Sequence, residues 1–419
     1  MADFTPQPSC ADAHETNSLT VSQARQQIHK LITPITAWET CALCDTLGRV
    51  LHHDIISPIN VPAHTNSAMD GYAIHSADLG TTEISLKQVG IAYAGQPFHG
   101  SIRQGQCIRI MTGAVMPVDC DTVIMQEHVE VNDNIITLQG KHSAGQNVRH
   151  AGEDLQTGEV VLTQGHQLMP ADLGLIASLG IAELTVNRQC RVAFFSTGDE
   201  LRSLGQSLEQ GQIYDSNRYT LYGMLKRLDI DIIDMGVVPD NKETLTHALQ
   251  LASSQADVVL TSGGASVGDA DYIKEILSEI GHVAFWKIAM KPGRPLAFGS
   301  INNALFFGLP GNPVSVMVTF YQFVRGALQQ LSGLTEQDLP LMQVNCISDI
   351  RKRAGRFEFQ RGILFQDEHG VTQVKTTGEQ GSGILRSMST ANCFILLEEG
   401  NNGVKANSLV TVQAFSGLI

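Results

Sequence analysis

A chain of 419 residues well exceeds the roughly 150 typical of one domain, so two to four domains are expected, each with length enough for a real core. Hydrophobic residues make up 43% and charged residues only 17%, which excludes a largely disordered chain. With 42 acids against 28 bases the formal charge is −14, which sets the protein against nucleic-acid phosphates and anionic membranes unless bases cluster locally.

No apolar run reaches the roughly 18 residues of a membrane helix, and the first residues lack a basic-then-apolar signal pattern, so a cytoplasmic address is expected. Of eight cysteines only Cys41 and Cys44 form a CxxC, with no second pair or paired histidine to complete a zinc site. The thiols are expected to be reduced or buried. Residues 1–18 are polar, carry two prolines and show no periodicity, as a flexible leader would. A helix is predicted over Val21–Leu31, capped by Thr20 and halted before Pro34, with Ala24, Ile28 and Leu31 on one face. Gly48, Pro58, Pro62 and Gly71 break the stretch that follows into short segments.

Alternation then predicts strands at Glu83–Val89, Gln106–Met111, Thr122–Gln126 and Val129–Leu138, a small, mostly β domain. A helix starts near Pro170 and ends before Gly180. From Arg191 the pattern changes. Apolar runs at Val192–Phe195, Ile230–Val238, Asp257–Leu260, Val283–Ile288, Leu296–Phe298 and Leu305–Gly308 interleave with helices. One helix carries Leu221, Met224, Leu225 and Leu228; the others span Leu245–Ala252, Ile273–Ile280 and Val314–Leu331. This alternation predicts a doubly wound α/β domain over 190–333, its parallel sheet covered on both faces. After Gly333 short strands return at Met342–Ile347, Phe357–Leu364, Val371–Lys375, Cys393–Leu397 and Leu409–Ala414, a compact β module.

In open α/β sheets ligands bind beyond the carboxyl ends of the strands. Three loops fit that place: Ser196–Glu200, Thr261–Tyr272 with Ser262, Gly263 and Gly264, and Leu309–Ser315 with Pro310 and Pro313. Their glycines let backbone N–H groups approach an anion closely. Neither GxGxxG nor GxxxxGK[ST] occurs, which removes the main support for dinucleotide and P-loop readings. Lys287, Lys291 and Arg294 supply cations around a Pro-Gly bend, each worth about 1.5–3 kcal/mol to a bound anion. Asp199, Glu200, Asp240, Asp269 and Asp271 recur at the same kind of loop, the oxygen ligands that Mg²⁺ beside a phosphate requires. Fourteen histidines form no HExxH, and the His52–His53 pair reads as surface or packing.

The motifs Ser67-Ala-Met-Asp-Gly-Tyr-Ala73, Ile110-Met-Thr-Gly-Ala114, Asn147-Val-Arg149, Gly152-Glu-Asp154, Ser196-Thr-Gly-Asp-Glu200, Ser262-Gly-Gly264, Lys291-Pro-Gly-Arg-Pro295 and Gly308-Leu-Pro-Gly-Asn-Pro313 together resemble the MoeA/gephyrin family, from about residue 19 to the end. The resemblance implies a multidomain α/β plus β subunit. Its parts would be a flexible leader (1–18), an elongated discontinuous α+β domain (19–58 and 152–189), a small β domain (59–151), a MogA-like molybdopterin-binding α/β domain (190–333) and a C-terminal β-barrel-like domain (334–419). It implies a homodimer whose active site joins the α/β domain of one subunit to the Ser67–Ala73 motif of the other. It implies insertion of molybdenum from molybdate into adenylylated molybdopterin, with AMP release assisted by Mg²⁺.

By the same resemblance Lys291, Arg294, Ser315, Arg356 and Ser387 would form the molybdate pocket, and Asp70, Thr112, Arg149, Asp154, Glu200, Asp240, Asp271 and Lys287 would serve activity or pterin-phosphate handling, with Glu200, Asp240 and Asp271 toward Mg²⁺. Arg294 stands where many relatives have lysine, replacing a point charge by a planar fork. A MogA-type adenylyltransferase and apo-molybdoenzymes are the expected protein partners; nucleic acid and membrane are not. Two alternatives stay open: a molybdopterin adenylyltransferase, and a non-catalytic pterin-binding scaffold.

Overall fold

The computed structural model describes residues 18–80, 84–263, 272–334 and 339–419. The expected leader up to residue 17, the strand start at Glu83, and Gly264, Asp269 and Asp271 lie outside the described residues. The chain divides into two compact units, one of residues 40–47 and 51–186, the other of residues up to 39, 48–50 and 187–419.

Helix α1 (Val21–Leu31) starts where predicted: Thr20 accepts from the Gln23 N–H while the Gln23 side chain accepts from the Thr20 N–H, a reciprocal cap. Val21, Ala24 and Ile28 are buried, whereas Leu31 is half exposed and Ile32 takes the inward position instead. The 3.6-residue period explains the exchange, since position 32 follows 28 on the buried face.

In the unit holding residues 51–186, six strands form one sheet: β1 (Gly71–Ile74), β2 (Ser85–Ala92), β3 (Gln106–Ile110), β4 (Thr122–Met125), β5 (Val129–Asn132) and β6 (Ile135–Leu138), in the order β4-β1-β3-β2-β6-β5. The run expected as one strand over Val129–Leu138 is a hairpin, because Asp133 adopts φ +53° and reverses the chain in two residues. All of β1 is buried, with Ala73 packed on one face of the sheet and Tyr72 and Ile74 on the other. Gly71 is required there: a Cβ would lie 2.0 Å from the Ile124 carbonyl oxygen on β4. Helix α2 (Pro170–Ser178) begins on its proline and gives way at Gly180, φ +74°.

The other unit contains the α/β sheet: β7 (Arg191–Thr197), β8 (Asp231–Val238), β9 (Val258–Ser262), β10 (Gly281–Lys287), β11 (Pro295–Ile301) and β12 (Ala304–Leu309), ordered β8-β7-β9-β12-β11-β10. Helices α3 (Ser216–Arg227) and α6 (Pro313–Thr319) cover one face; α4 (Lys242–Gln255) and α5 (Tyr272–Ile280) cover the other, so two apolar cores sandwich the sheet. The expectation of an all-parallel sheet is corrected. Four adjacent strands are parallel, but β11 runs antiparallel to both its neighbours, β12 and β10, because a two-residue turn with Asn302 at φ +52° joins β11 to β12, too short for a crossover. The helix predicted over Val314–Leu331 is continuous, α6 passing through a π-helical turn at Phe320–Val324 into α7 (Arg325–Leu331).

The last five strands, β13 (Leu341–Cys346), β14 (Phe357–Gln366), β15 (Thr372–Thr376), β16 (Cys393–Leu397) and β17 (Ser408–Ala414), close into a barrel through the β14–β16 pairing. A helix the sequence pattern did not announce, Leu385–Thr390, precedes β16. Burial pushes the thiols of Cys107, Cys120 and Cys393 up to about 12, so none supplies a thiolate near neutral pH. No described helix is long and apolar enough to cross a membrane.

Two glycines separate close approach from helix propensity. Gly71→Ala should destabilise its unit by at least about 2 kcal/mol, because β1 must leave β4. Gly174→Ala, on exposed α2 with nothing near its Cβ, should stabilise by about 0.5–1 kcal/mol. Urea unfolding followed by circular dichroism checks both; equal effects would refute the contrast.

Candidate active site

Three sequence motifs meet in the smaller-numbered unit. The Ser67 N–H donates to the Ala114 carbonyl at 3.0 Å, the Gly113 N–H to the Ser67 carbonyl at 2.8 Å, and the Ala68 N–H to the Asn147 carbonyl at 2.9 Å. Asn66–Ser67 also pairs antiparallel with Val148–Arg149, which brings exposed Arg149 to the same patch. At its centre Asp70 Oδ1 accepts from both the N–H and the hydroxyl of Thr112, each at 2.7 Å. Those donations, the main-chain one first, hold the Asp70 carboxyl below the usual carboxylate range. Exposed Asp154 hangs on the neighbouring segment, its N–H donating to the Val61 carbonyl at 3.0 Å; among the described residues no hydrogen bond joins its side chain to Asp70.

In the α/β unit the loops after β7, β9 and β12 converge. Gly263 has φ +93°, and a Cβ there would lie 2.4 Å from the Thr197 carbonyl oxygen. Its N–H donates to the Leu309 carbonyl at 3.2 Å. Asn217, in the first turn of α3, spends one amide proton on Ser262 Oγ (2.9 Å) and the other on the Gly311 carbonyl (2.7 Å). Pro310 is buried in this edge and Pro313 opens α6. Ser196 Oγ, Thr261 Oγ1, Asp215 Oδ2 and Asn217 Oδ1 are buried there without a hydrogen-bond partner among the described residues. Unpaired buried polar atoms at a strand edge are what a polar ligand would satisfy.

Carboxylates crowd the same edge. Burial, then the negative charge of Asp199 and of Glu200, pushes the Asp240 carboxyl above its ordinary value. Clustered like charges of this kind are relieved by a divalent cation, although no set of three ligating side chains stands preassembled among the described residues.

The bend after β10 carries the cations. Lys287 ends β10; Lys291 pairs main chain to main chain with Glu358 on β14, its Nζ 3.6 Å from Glu358 Oε1. Gly293, φ +98°, tucks the bend beside α6: a Cβ there would lie 2.6 Å from the Thr319 side chain and 3.7 Å from the Ser315 carbonyl. Arg294 is partly buried and Ser315 is buried in the first turn of α6. The Val314 N–H donates to the Ser382 carbonyl at 3.1 Å, so the helix start is tied to a barrel loop.

Ser387, on the helix Leu385–Thr390 that follows this loop, is buried and bonded by Arg361. Arg361 Nε donates to Ser387 Oγ at 3.0 Å, and the Ser387 hydroxyl donates to the Ile384 carbonyl at 2.7 Å. Arg361 is 1% exposed, burial pulls its guanidinium down to about 10, and no described carboxylate faces it. Sequence reasoning passed over Arg361, which stands between Gln360 and Gly362 in a strand of mixed polarity with no motif to single it out. Arg356 is partly exposed at the start of that strand. A separate cleft of about 740 Å³, lined by Arg25, Ile28, Tyr321, Arg325 and Phe357, contains none of the expected site residues.

Comparison with known proteins follows the same segments. The model of the MoeA N-terminal region (domains I and II) matches residues 19–180, that of a probable molybdopterin-binding domain 193–330, and that of the MoeA C-terminal region (domain IV) 343–415. The molybdopterin molybdenumtransferase of Haemophilus influenzae is 45% identical, over 96% of this chain and 100% of that protein. The chain belongs to the MoeA family of molybdopterin molybdenumtransferases. A second such transferase, from a Nostoc species, is 32% identical over 98% of the chain and 94% of its own length. The crystal structure of the MoeA protein of Pyrococcus horikoshii, 28% identical, superimposes with a TM-score of 0.83 over 95% of this chain and all of that one. Both the family and the multidomain α/β plus β fold are therefore those the motifs implied.

The Asp70–Thr112 tie has a direct test. Because the folded carboxyl is depressed, its stabilising contribution is present above the ordinary carboxylate pKa of about 4 and disappears as pH falls through the lower folded value. Thr112→Val should raise the Asp70 midpoint in a ¹³C NMR titration while the Thr112 N–H keeps part of the depression; an unmoved midpoint would remove the hydroxyl from this account.

Proposed function

We propose that this chain inserts molybdenum from molybdate into adenylylated molybdopterin and releases AMP. The observation that carries the reading is the convergence of three strand-end loops, with buried hydroxyls that have no partner among the described residues, beside a bend of cations in a chain of this family. Molybdate and a phosphoanhydride are both oxyanions, so donors aimed at negative charge serve the substrate and the developing transition state alike.

In this reading Ser262, Gly263, Gly264, Pro310 and Pro313 shape the bed for the adenylylated pterin, with Lys287 and Arg149 on its phosphates. Lys291, Arg294 and Ser315 receive molybdate. Arg356 and Ser387 complete that pocket, and buried Arg361, bonded to Ser387, adds a fixed positive charge from the barrel side. Asp70, Thr112 and Asp154 position the reacting groups. Glu200, Asp240 and Asp271 would hold Mg²⁺, which when bound supplies charge neutralisation at the anhydride. No side-chain nucleophile is needed, in keeping with the buried, protonated thiols; positioning and electrostatics carry the rate.

The proposal includes the domain division given above, a homodimer that draws the Ser67–Ala73 motif and the α/β domain from different subunits, a cytoplasmic location, and protein partners that supply the adenylylated pterin and accept the finished cofactor.

Purified chain, adenylylated molybdopterin, molybdate and Mg²⁺ should yield AMP and a product that activates an apo-molybdoenzyme; chelation should stop the reaction and Mg²⁺ restore it. ATP consumption in place of AMP release would mark an adenylyltransferase, and neither activity a scaffold. Lys291→Ala should raise the molybdate needed for half-maximal rate by about 10- to 100-fold, the loss of one charge-assisted bond. Unchanged AMP release at limiting molybdate would refute its assignment.

A further inference from the structure

Beside the bend of cations stands a buried acid. Glu358 is 6% exposed, on β14, in register with Lys291 across a short parallel pairing. Its Oε2 accepts from Gln360 Nε2 at 2.8 Å, which fixes the carboxylate from one side. Its Oε1 is 3.6 Å from Lys291 Nζ, a contact of charges too long for a hydrogen bond. The Lys291 side chain is 58% exposed against 7% for Glu358, so the lysine is the solvent-facing member. A second cation, Lys352, is buried, and its Nζ donates to the carbonyls of Glu399 (3.3 Å) and Asn401 (3.0 Å). The charges of Glu358 and Lys291 both act on it, which places the three groups in one electrostatic cluster.

An acid here opposes the capture of an anion, and its burial makes it costly to keep. It has a use if anion capture is an exchange. We propose that Glu358 is the resident counter-ion of the oxyanion site, a positioning residue that holds Lys291 until a tetrahedral dianion displaces it and that keeps the anion weakly enough bound to be passed on. This rests on the molybdate reading of Lys291. The exchange favours a doubly charged oxyanion, since a single charge merely replaces the one already present. Departure of the metal oxide then lets Lys291 return to Glu358, so the empty site is not left with an unbalanced charge.

The test is calorimetric titration of the full chain with sodium tungstate at fixed ionic strength. Glu358→Gln keeps shape and the contact to Gln360 while removing the charge. It should bind tungstate about tenfold more tightly, with lower turnover and unchanged affinity for the adenylylated pterin, as release of Lys291 from its counter-ion requires. Glu358→Asp, which retains the charge but withdraws it, should fall between the two. In a Lys291→Met background the gain should vanish.

Equal or weaker tungstate binding by Glu358→Gln, with circular dichroism unchanged, would overturn the proposal, as would a gain that persists without Lys291. Wild-type chain that binds no tungstate would instead remove the oxyanion site itself, a result distinct from a bound anion indifferent to residue 358.

Discussion

At residue 263 the backbone turns left-handed, φ +93°, and an added Cβ would lie 2.4 Å from the Thr197 carbonyl oxygen, so the ends of two central strands touch with no side chain between them. Everything at the strand edge follows from that approach. The Gly263 N–H reaches the Leu309 carbonyl on the third strand, and Asn217 closes the set by holding Ser262 and Gly311 with one amide. Three loops that could each be an ordinary turn become one surface. Among the described residues its buried Ser196 and Thr261 hydroxyls have no partner, and a buried group left so costs about 1–3 kcal/mol, which a ligand able to hydrogen-bond it removes.

Charge is handled locally against an unfavourable whole. A chain of formal charge −14 repels oxyanions at long range, yet beyond a screening length of about 8 Å that repulsion is weak. What remains is set by side chains held in place. Arg361 shows how: a guanidinium does not shed its proton near neutral pH, so burying it inside the barrel junction fixes a permanent cation there, and Ser387 and the Gly381 carbonyl orient it without neutralising it. A carboxylate partner would have cancelled that charge.

The sequence made the periodic elements readable and left the closures dark. Helix α1, α2 and the β7–β9 strands follow from apolar spacing and from Thr20, Pro170 and Gly180, because local pattern and local capping decide them. The antiparallel edge of the α/β sheet was not foreseen, since its cause is a two-residue turn at Asn302 whose neighbours are as apolar as any parallel strand. The glycine-rich loops and the Lys291–Arg294 bend were legible as types of residue, but which guanidinium faces Ser387 depends on barrel register. Arg356 stands just before β14 and Arg361 within it, and the pairing of β14 with β16 and β15 buries Arg361.

The Asp70 motif carries the same logic to the other unit. An exposed carboxylate gains little stability from a hydrogen bond, because water would serve it nearly as well. Yet Asp70 receives two bonds from one residue, Thr112, and the next position must be glycine for the strand to lie against Ile124. Met111 and Ala114 are tied in turn, through the Met111–Ala92 and Ser67–Ala114 main-chain bonds. So many constraints on one solvent-facing oxygen pair do little for folding. They fix the direction of a single negative charge at the surface, which hydrogen bonds to water alone would leave mobile.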